Sequence, residues 1–247
     1  MIRRGRGGSK CGTVSLASGF LPAKLSRMVI TIDGYAASGK SSAATALANA
    51  LGFRLLNTGW MYRAAGLALK DRGFDLLANP RDAAGIAAHI AGFHFDMPPD
   101  KVILGGADWT ERIGCEGSGA AASLVGTFGE VREKLKAEQR RIAEGENIIC
   151  EGRDQGTAVF PDARVKFFFW ASPEVRASRR LNQLPNADYA TILQQIRDRD
   201  HQDENRAIDP LKPAEDAIRF DTSDLGETEI LQRMIAAVAS KNHEGRG

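Results

Sequence analysis

The chain has 247 residues, of which 43% are hydrophobic, 7% aromatic and 26% charged. That balance fits a soluble globular fold and excludes a disordered chain, a collagen-like fibre or a disulfide scaffold. The net charge of +2 hides a division: residues 1–27 hold six basic residues and no acidic one, leaving 27 basic against 31 acidic in the rest, a mildly acidic body that argues against general nucleic-acid binding.

The basic stretch at residues 1–27 has no continuous apolar signal region or cleavage site. It is read as a disordered extension that reflects start-site choice, with the folded chain opening at Met28. Val29-Ile30-Thr31-Ile32 is a short apolar run of the kind that forms a buried parallel strand. A glycine-containing turn leads into an alanine-rich helix through Leu47 and Leu51 that ends near Gly52. Phe53–Leu56 predicts a second strand, Met61–Lys70 a helix, and residues 82–92 a short helix. Phe93–Asp96 and Val102–Leu104 flank a Met-Pro-Pro-Asp turn and predict a hairpin, with Trp109–Cys115 as a third short strand. A long charged helix is expected over Ala121–Ala143. Strands follow at Asn147–Cys150 and Val165–Trp170. Ser172-Pro173 is a helix start, with serine as cap and proline in the first turn. That helix runs to Leu184, stops at Pro185 and restarts over Asp188–Arg199. A strand at Ala217–Asp221 and a helix at Glu227–Ala239 close the chain. Strands alternating with helices predict an α/β fold with a parallel sheet covered on both faces.

No apolar stretch approaches the ~20 residues that span a bilayer, so no membrane association is expected. Three cysteines (Cys11, Cys115, Cys150) and four histidines (His89, His94, His201, His243) lack the spacing of a disulfide framework or metal site. A reducing cytoplasm follows as the expected compartment.

Gly34-Tyr35-Ala36-Ala37-Ser38-Gly39-Lys40-Ser41, followed by Ser42, matches G-x-x-x-x-G-K-[ST] directly after a predicted strand and at the opening of a helix. Backbone N–H groups and the helix N-terminus there attract phosphate oxygens. Lys40 is expected to neutralise the β- and γ-phosphates of ATP, and Ser41 to hold Mg²⁺. There is no N-K-x-D guanine reader, which excludes a GTPase. Val165–Trp170 ends in Ala171-Ser172 rather than an aspartate, which argues against a motor-type ATPase. Arginines in clusters favour instead a kinase whose acceptor is itself a phosphate. Arg140 and Arg141 are read as a solvated helix face.

At these motifs the chain resembles bacterial cytidylate (CMP) kinases. The blocks are Thr31-Ile32-Asp33-Gly34 leading into the phosphate loop, Thr58-Gly59-Trp60-Met61-Tyr62-Arg63, and Gly152-Arg153-Asp154 with Gly156–Ala163. Arg199-Asp200 with Asp203 and Arg206 follows, then Pro210–Ala214. The resemblance covers nearly everything from Met28 onward. It implies a P-loop NTPase-type five-stranded parallel sheet flanked by helices. Core segments are then expected at 28–84 and 119–247, an inserted nucleoside-monophosphate-binding subdomain at about 85–118, and a helical lid at about 173–206. It also implies MgATP-dependent phosphorylation of CMP, with dCMP as a second acceptor, by a cytoplasmic monomer that binds neither nucleic acid nor membrane. By the same resemblance Thr58, Arg63, Ser123, Arg132, Arg153, Asp154, Arg199, Asp203 and Arg206 hold the monophosphate. Arg63, Arg153 and Arg206 are assigned to its phosphate, Arg199 and Asp203 to the sugar side, and Ser123, Arg132 and Asp154 to cytosine. Lys40, Arg153 and Arg206 are the expected catalytic groups, and Arg176 and Arg180 are expected near ATP.

Four positions depart from the family pattern: Tyr35 stands where proline is common, Ala37 where a loop glycine is common, Asn57 for an aspartate, and Gly114 for a basic residue. Two other readings remain open on the residues alone: a P-loop kinase with another small acceptor, and a nucleotide-binding regulator without turnover.

Overall fold

A computed structural model describes residues 28–74, 82–115, 117–184 and 187–244, with side chains described through Lys241. The expected disorder of residues 1–27, and Pro185 as a helix stop, lie outside the described residues. Five parallel strands form the central sheet in the order β2-β6-β1-β7-β8: β1 (Val29–Gly34), β2 (Arg54–Asn57), β6 (Ile148–Glu151), β7 (Val165–Trp170) and β8 (Ile218–Asp221). β1 lies in the middle because its apolar run has a buried neighbour on each side, Ile30 facing Ile149 in one register and Val165 in the other. Period-two alternation divides the core. Ile148 and Cys150 of β6 join the cluster under α2 (Thr58–Asp71) and α6 (Gly129–Ala143). Ile149 joins the cluster under α1 (Lys40–Leu51) and α9 (Glu227–Glu244), together with Ile30, Ile32, Phe167 and Phe169.

After α3 (Ala83–Ile90) a second, antiparallel sheet runs β3 (Phe95–Asp96), β4 (Ile103–Leu104) and β5 (Ala107–Asp108). Its Phe95 and Leu104, with Met97, Val102 and Ile113, share one hydrophobic cluster with α2, α6 and the main sheet, so this segment has no separate core.

Two expectations are corrected. The third short strand is Ala107–Asp108, and Thr110–Ile113 forms a helical turn, α4. Asp108 accepts the backbone N–H of Thr110 at 2.9 Å and bends the chain out of the strand. The charged helix over 121–143 is two helices, α5 (Ser118–Val125) and α6, because Thr127 Oγ1 caps the Leu124 carbonyl at 2.7 Å and Phe128 is extended between Gly126 and Gly129. The remaining expected elements lie within a few residues of their predicted ends. α7 (Pro173–Gln183) starts at the expected Ser172 cap, which accepts from Val175, and α8 (Tyr189–Asn205) starts at Asp188 and outruns the prediction to Asn205.

Candidate active site

The loop between β1 and α1 is shaped by its backbone. Gly34 has φ 144° and lies so close to β7 that a Cβ would sit 2.1 Å from the Phe169 carbonyl oxygen, so only glycine fits. Ala37 and Gly39 also hold positive φ, at 58° and 86°. Tyr35's carbonyl is a hub inside the loop: Ser38 Oγ donates to it at 2.9 Å and Lys40 Nζ at 3.0 Å. Thr222, just past β8, donates its hydroxyl to the Ser38 carbonyl at 2.8 Å and braces the loop from behind. The free N–H groups of α1 open at this loop, a site suited to phosphate.

Lys40 is buried, with its ammonium 3.5 Å from Glu151 Oε1. Burial, reinforced by Arg153 and Arg199 and opposed by Glu151, pushes it down to about 7. Ser41 donates to the same Glu151 oxygen at 2.9 Å, while Glu151 Oε2 is buried with no hydrogen-bond partner. Glu151 ends β6, the strand beside β1. The strand-end carboxylate that β7 lacks is present here, and its signal in the sequence is an acidic residue directly after Ile148-Ile149-Cys150.

Beyond Glu151 the chain turns sharply. A Cβ on Gly152 would lie 2.8 Å from both Thr58 Oγ1 and the Gln155 side chain, and Thr58 itself donates to the Glu151 carbonyl at 2.8 Å. Asp33 fixes the turn by accepting the backbone N–H groups of Gln155 (2.8 Å) and Gly156 (2.7 Å). Burial, with Asp154 adding to it, pushes this carboxyl up to about 7 against those two hydrogen bonds.

The turn presents Arg153 and Asp154 to α8 and the residues after it. Arg153 Nε donates to Asp203 at 3.0 Å, and Arg206 lies 3.9 Å from Asp203 and 3.7 Å from Asp154. Burial would raise Asp203, but Arg153, Arg199 and Arg206 outweigh it and hold the carboxyl below the ordinary range. Arg199 is pushed down to about 10, by burial first and then by Arg153, and its Nε has no partner. Arg63 donates to the Ile113 carbonyl at 3.2 Å and is lowered by burial, Arg180 and Arg153. Arg206 Nη2 is likewise buried without a hydrogen bond. Cations that depress one another behind unspent donors have the charge and the free N–H groups that suit a polyanion.

Arg132 is almost fully buried on α6. It pairs with Asp154, donates to Asp209 at 3.1 Å and stacks 5.8 Å from the Tyr62 ring centre. Ser123 is half-buried on α5, and its carbonyl accepts from Gln202 of α8 at 3.4 Å. Thr58, Arg63, Arg132, Arg153, Asp154, Arg199, Asp203 and Arg206 thus stand in one linked group that continues to Lys40 and Ser41. Ser42 is exposed on α1.

Arg176 and Arg180 part company. Arg176 is 1% exposed, its guanidinium bidentate to Asp200 (2.9 Å for one arm), with further bonds to the carbonyls of Ala171 and Ala36. Arg180 is exposed and bonded to Gln183 at 3.0 Å. Arg140 and Arg141, read as a solvated face, are exposed yet tied to backbone carbonyls of Val159, Ala158 and Phe95. Among the described residues no group of three or more His, Cys, Asp or Glu is arranged to hold a metal ion, and no helix is long and apolar enough to cross a membrane.

A family model described as cytidylate kinase matches residues 30–240. The chain is 41% identical to the cytidylate kinase of Stutzerimonas stutzeri (strain A1501), an alignment covering 88% of this chain and 97% of that one. It is 41% identical to the cytidylate kinase of Rhodococcus jostii (strain RHA1) over 90% of this chain and 99% of the relative. The cytidylate kinase of Mycobacterium avium (strain 104) is also 41% identical, over 89% of this chain and 98% of its own.

Proposed function

The chain belongs to the cytidylate kinase family, and from that premise we propose that it transfers the γ-phosphoryl group of MgATP to CMP, and to dCMP as a second acceptor. The observation that carries this reading is the cluster of cations, Lys40 buried and Arg63, Arg153, Arg199 and Arg206 half-buried, with a buried donor on each of Arg199 and Arg206 that makes no hydrogen bond. An oxygen of the CMP phosphate forms the new P–O bond as the β–γ bridging bond breaks and its electron pair leaves with ADP. A phosphomonoester has its second pKa near ~6, so at neutral pH this oxygen is already largely ionised and no side-chain base is needed. What the protein supplies is compensation for the repulsion of two polyanions and for charge spread over the migrating group. Lys40 serves the donor phosphates. Arg63, Arg153 and Arg206 serve the acceptor phosphate, and Arg199 and Asp203 flank its sugar.

For the metal, a serine hydroxyl and a carboxylate meet at Ser41 and Glu151, and a buried Glu151 oxygen has no other partner. Hard oxygen donors with one carboxylate suit Mg²⁺, which takes its remaining ligands from phosphate and water. These two residues would hold the ion, which neutralises charge on the donor phosphates when bound. Cytosine offers an N4 donor beside N3 and O2 acceptors. Asp154 accepts from N4 while Arg132 and Ser123 donate, and the Arg132–Asp154 pairing orients the carboxylate for this. Uracil places a carbonyl against that carboxylate and leaves a buried polar group unpaired.

The segment 85–118 is proposed as the acceptor-side subdomain, with Arg63 bonded to its Ile113 carbonyl. α7 and α8, within about 173–206, are proposed as the lid that keeps water from ATP. The reaction belongs to pyrimidine nucleotide interconversion in the cytoplasm and is carried out by a monomer. A coupled assay with MgATP and CMP, dCMP, UMP or AMP tests the reading. CMP and dCMP are expected to turn over, with UMP and AMP weaker by ~10²-fold or more in kcat/KM. Preference for another acceptor overturns the assignment. Arg206→Ala is expected to cut kcat by ~10²-fold or more with little change in melting temperature. A variant that melts early yet keeps wild-type turnover per folded molecule contradicts its role.

A further inference from the structure

The half of α8 that carries the acceptor residues is not seated by hydrophobic packing. Its buried apolar side chains, Ile192 and Ile196, lie toward the N-terminal end, where they meet Ala177 of α7 in a small cluster. From residue 197 to Asn205 the helix buries no apolar side chain, so polar ties decide where Arg199 and Asp203 stand. Two of those ties run to the phosphate loop. Arg176 joins the Ala36 carbonyl to Asp200, and Tyr35 donates its phenolic O–H to Glu204 Oε1 at 2.6 Å.

Tyr35 is well placed to act as an anchor. Its N–H donates to the Phe169 carbonyl, and its own carbonyl holds Ser38 and Lys40. The ring stands edge-on to Phe168 at 5.9 Å with the Arg176 guanidinium 5.0 Å from its centre. Glu204 neighbours Asp203 and lies two residues before Arg206. A shift of the Glu204 end of the helix therefore moves both groups that pair with Arg153 and Asp154.

We infer that Tyr35 is a positioning residue for the acceptor nucleotide: through Glu204 it fixes the C-terminal half of α8 to the donor-phosphate loop, so the loop that grips one substrate also sets the arginines that grip the other. The inference rests on the proposed kinase reading for its substrates, but the tie itself does not.

Tyr35→Phe keeps the ring and removes only the donor, and Glu204→Met removes only the acceptor. Each is expected to raise the KM for CMP about 10-fold, the scale of a hydrogen bond to a charged group, with a smaller change in the KM for ATP. The double variant is expected to be no worse than the weaker single one, as for two ends of one contact. Amide hydrogen exchange across residues 197–206 is expected to accelerate in Tyr35→Phe without nucleotide. An unchanged KM for CMP in an active enzyme, additive effects in the double variant, or unchanged exchange overturns the inference. Should the wild-type protein fail to phosphorylate CMP, the kinase reading falls, and the exchange result alone decides whether the tie holds the helix.

Discussion

Ala37 holds φ at 58° in the phosphate loop, a left-handed conformation that costs a residue with a Cβ ~1–2 kcal/mol. The cost is tolerated because the loop is fixed on both sides, by Gly34 against β7 and by Thr222 behind Ser38. Ala37→Gly relieves it while loosening the unfolded chain by somewhat less. Calorimetry is expected to show a melting temperature about 1–3 °C higher, and a lower one would mean that the alanine is not strained. Asp154 is the residue on which base choice is proposed to rest. Asp154→Asn replaces an acceptor-only group with one that also donates, so the ratio of kcat/KM for CMP over UMP is expected to fall at least ~10-fold. Steady-state kinetics with both acceptors measures this, and an unchanged ratio removes Asp154 from base recognition.

At the scale of elements, α7 and α8 show how two arginines four residues apart on one helix acquire different work. Arg176 is buried and joins α7, α8 and the phosphate loop, whereas Arg180 lies at the surface. Removing Arg176 strands Asp200, a carboxylate 13% exposed, without its partner. Loss of one member of such a pair costs ~3 kcal/mol. Arg176→Ala is expected to lower unfolding stability in urea by about 2–3 kcal/mol, and Arg180→Ala by less than ~0.5 kcal/mol. Equal losses would contradict this division. The Ser172-Pro173 start and the restart at Asp188 are legible in sequence, and they place the two helices correctly. They do not reveal which arginine turns inward, because that depends on where Asp200 and the Ala36 carbonyl arrive from distant parts of the chain.

For the whole molecule, Asp33 links the centre of the sheet to pH. Its carboxyl is raised from 3.8 to about 7, by burial first. The folded state therefore binds more protons than the unfolded chain between those values, and stability falls as pH rises through that window. Asp203 and Asp209 are held below the ordinary range, so their contribution is lost only in acid, outside the window. Melting temperature is expected to decline from about pH 4 to about pH 7, and Asp33→Asn is expected to flatten that slope whatever its effect on absolute stability. An unaltered slope would mean that Asp33 is ionised throughout.

The alternation of apolar strands with helices, the phosphate-loop signature, and the arginine-bearing blocks are local patterns, and the sequence by itself determined the α/β sheet and the family and marked the phosphate loop as the candidate nucleotide site. The loop spacing placed Lys40 and Ser41 among the candidates, and the resemblance of the arginine-bearing blocks to the family placed Arg63, Arg153 and Arg206 there. Local pattern failed at Asp108 and at Thr127-Phe128, where side-chain hydrogen bonds and an extended Phe128 interrupt the expected elements. Only the tertiary structure decided that Glu151, 110 residues from Ser41, meets it and Lys40, that Arg176 is buried against Asp200, and that Tyr35 reaches Glu204. Those contacts join residues brought together by the order of strands in the sheet and the return of α8, and burial and partnership between distant residues are properties of that packing rather than of any stretch of sequence.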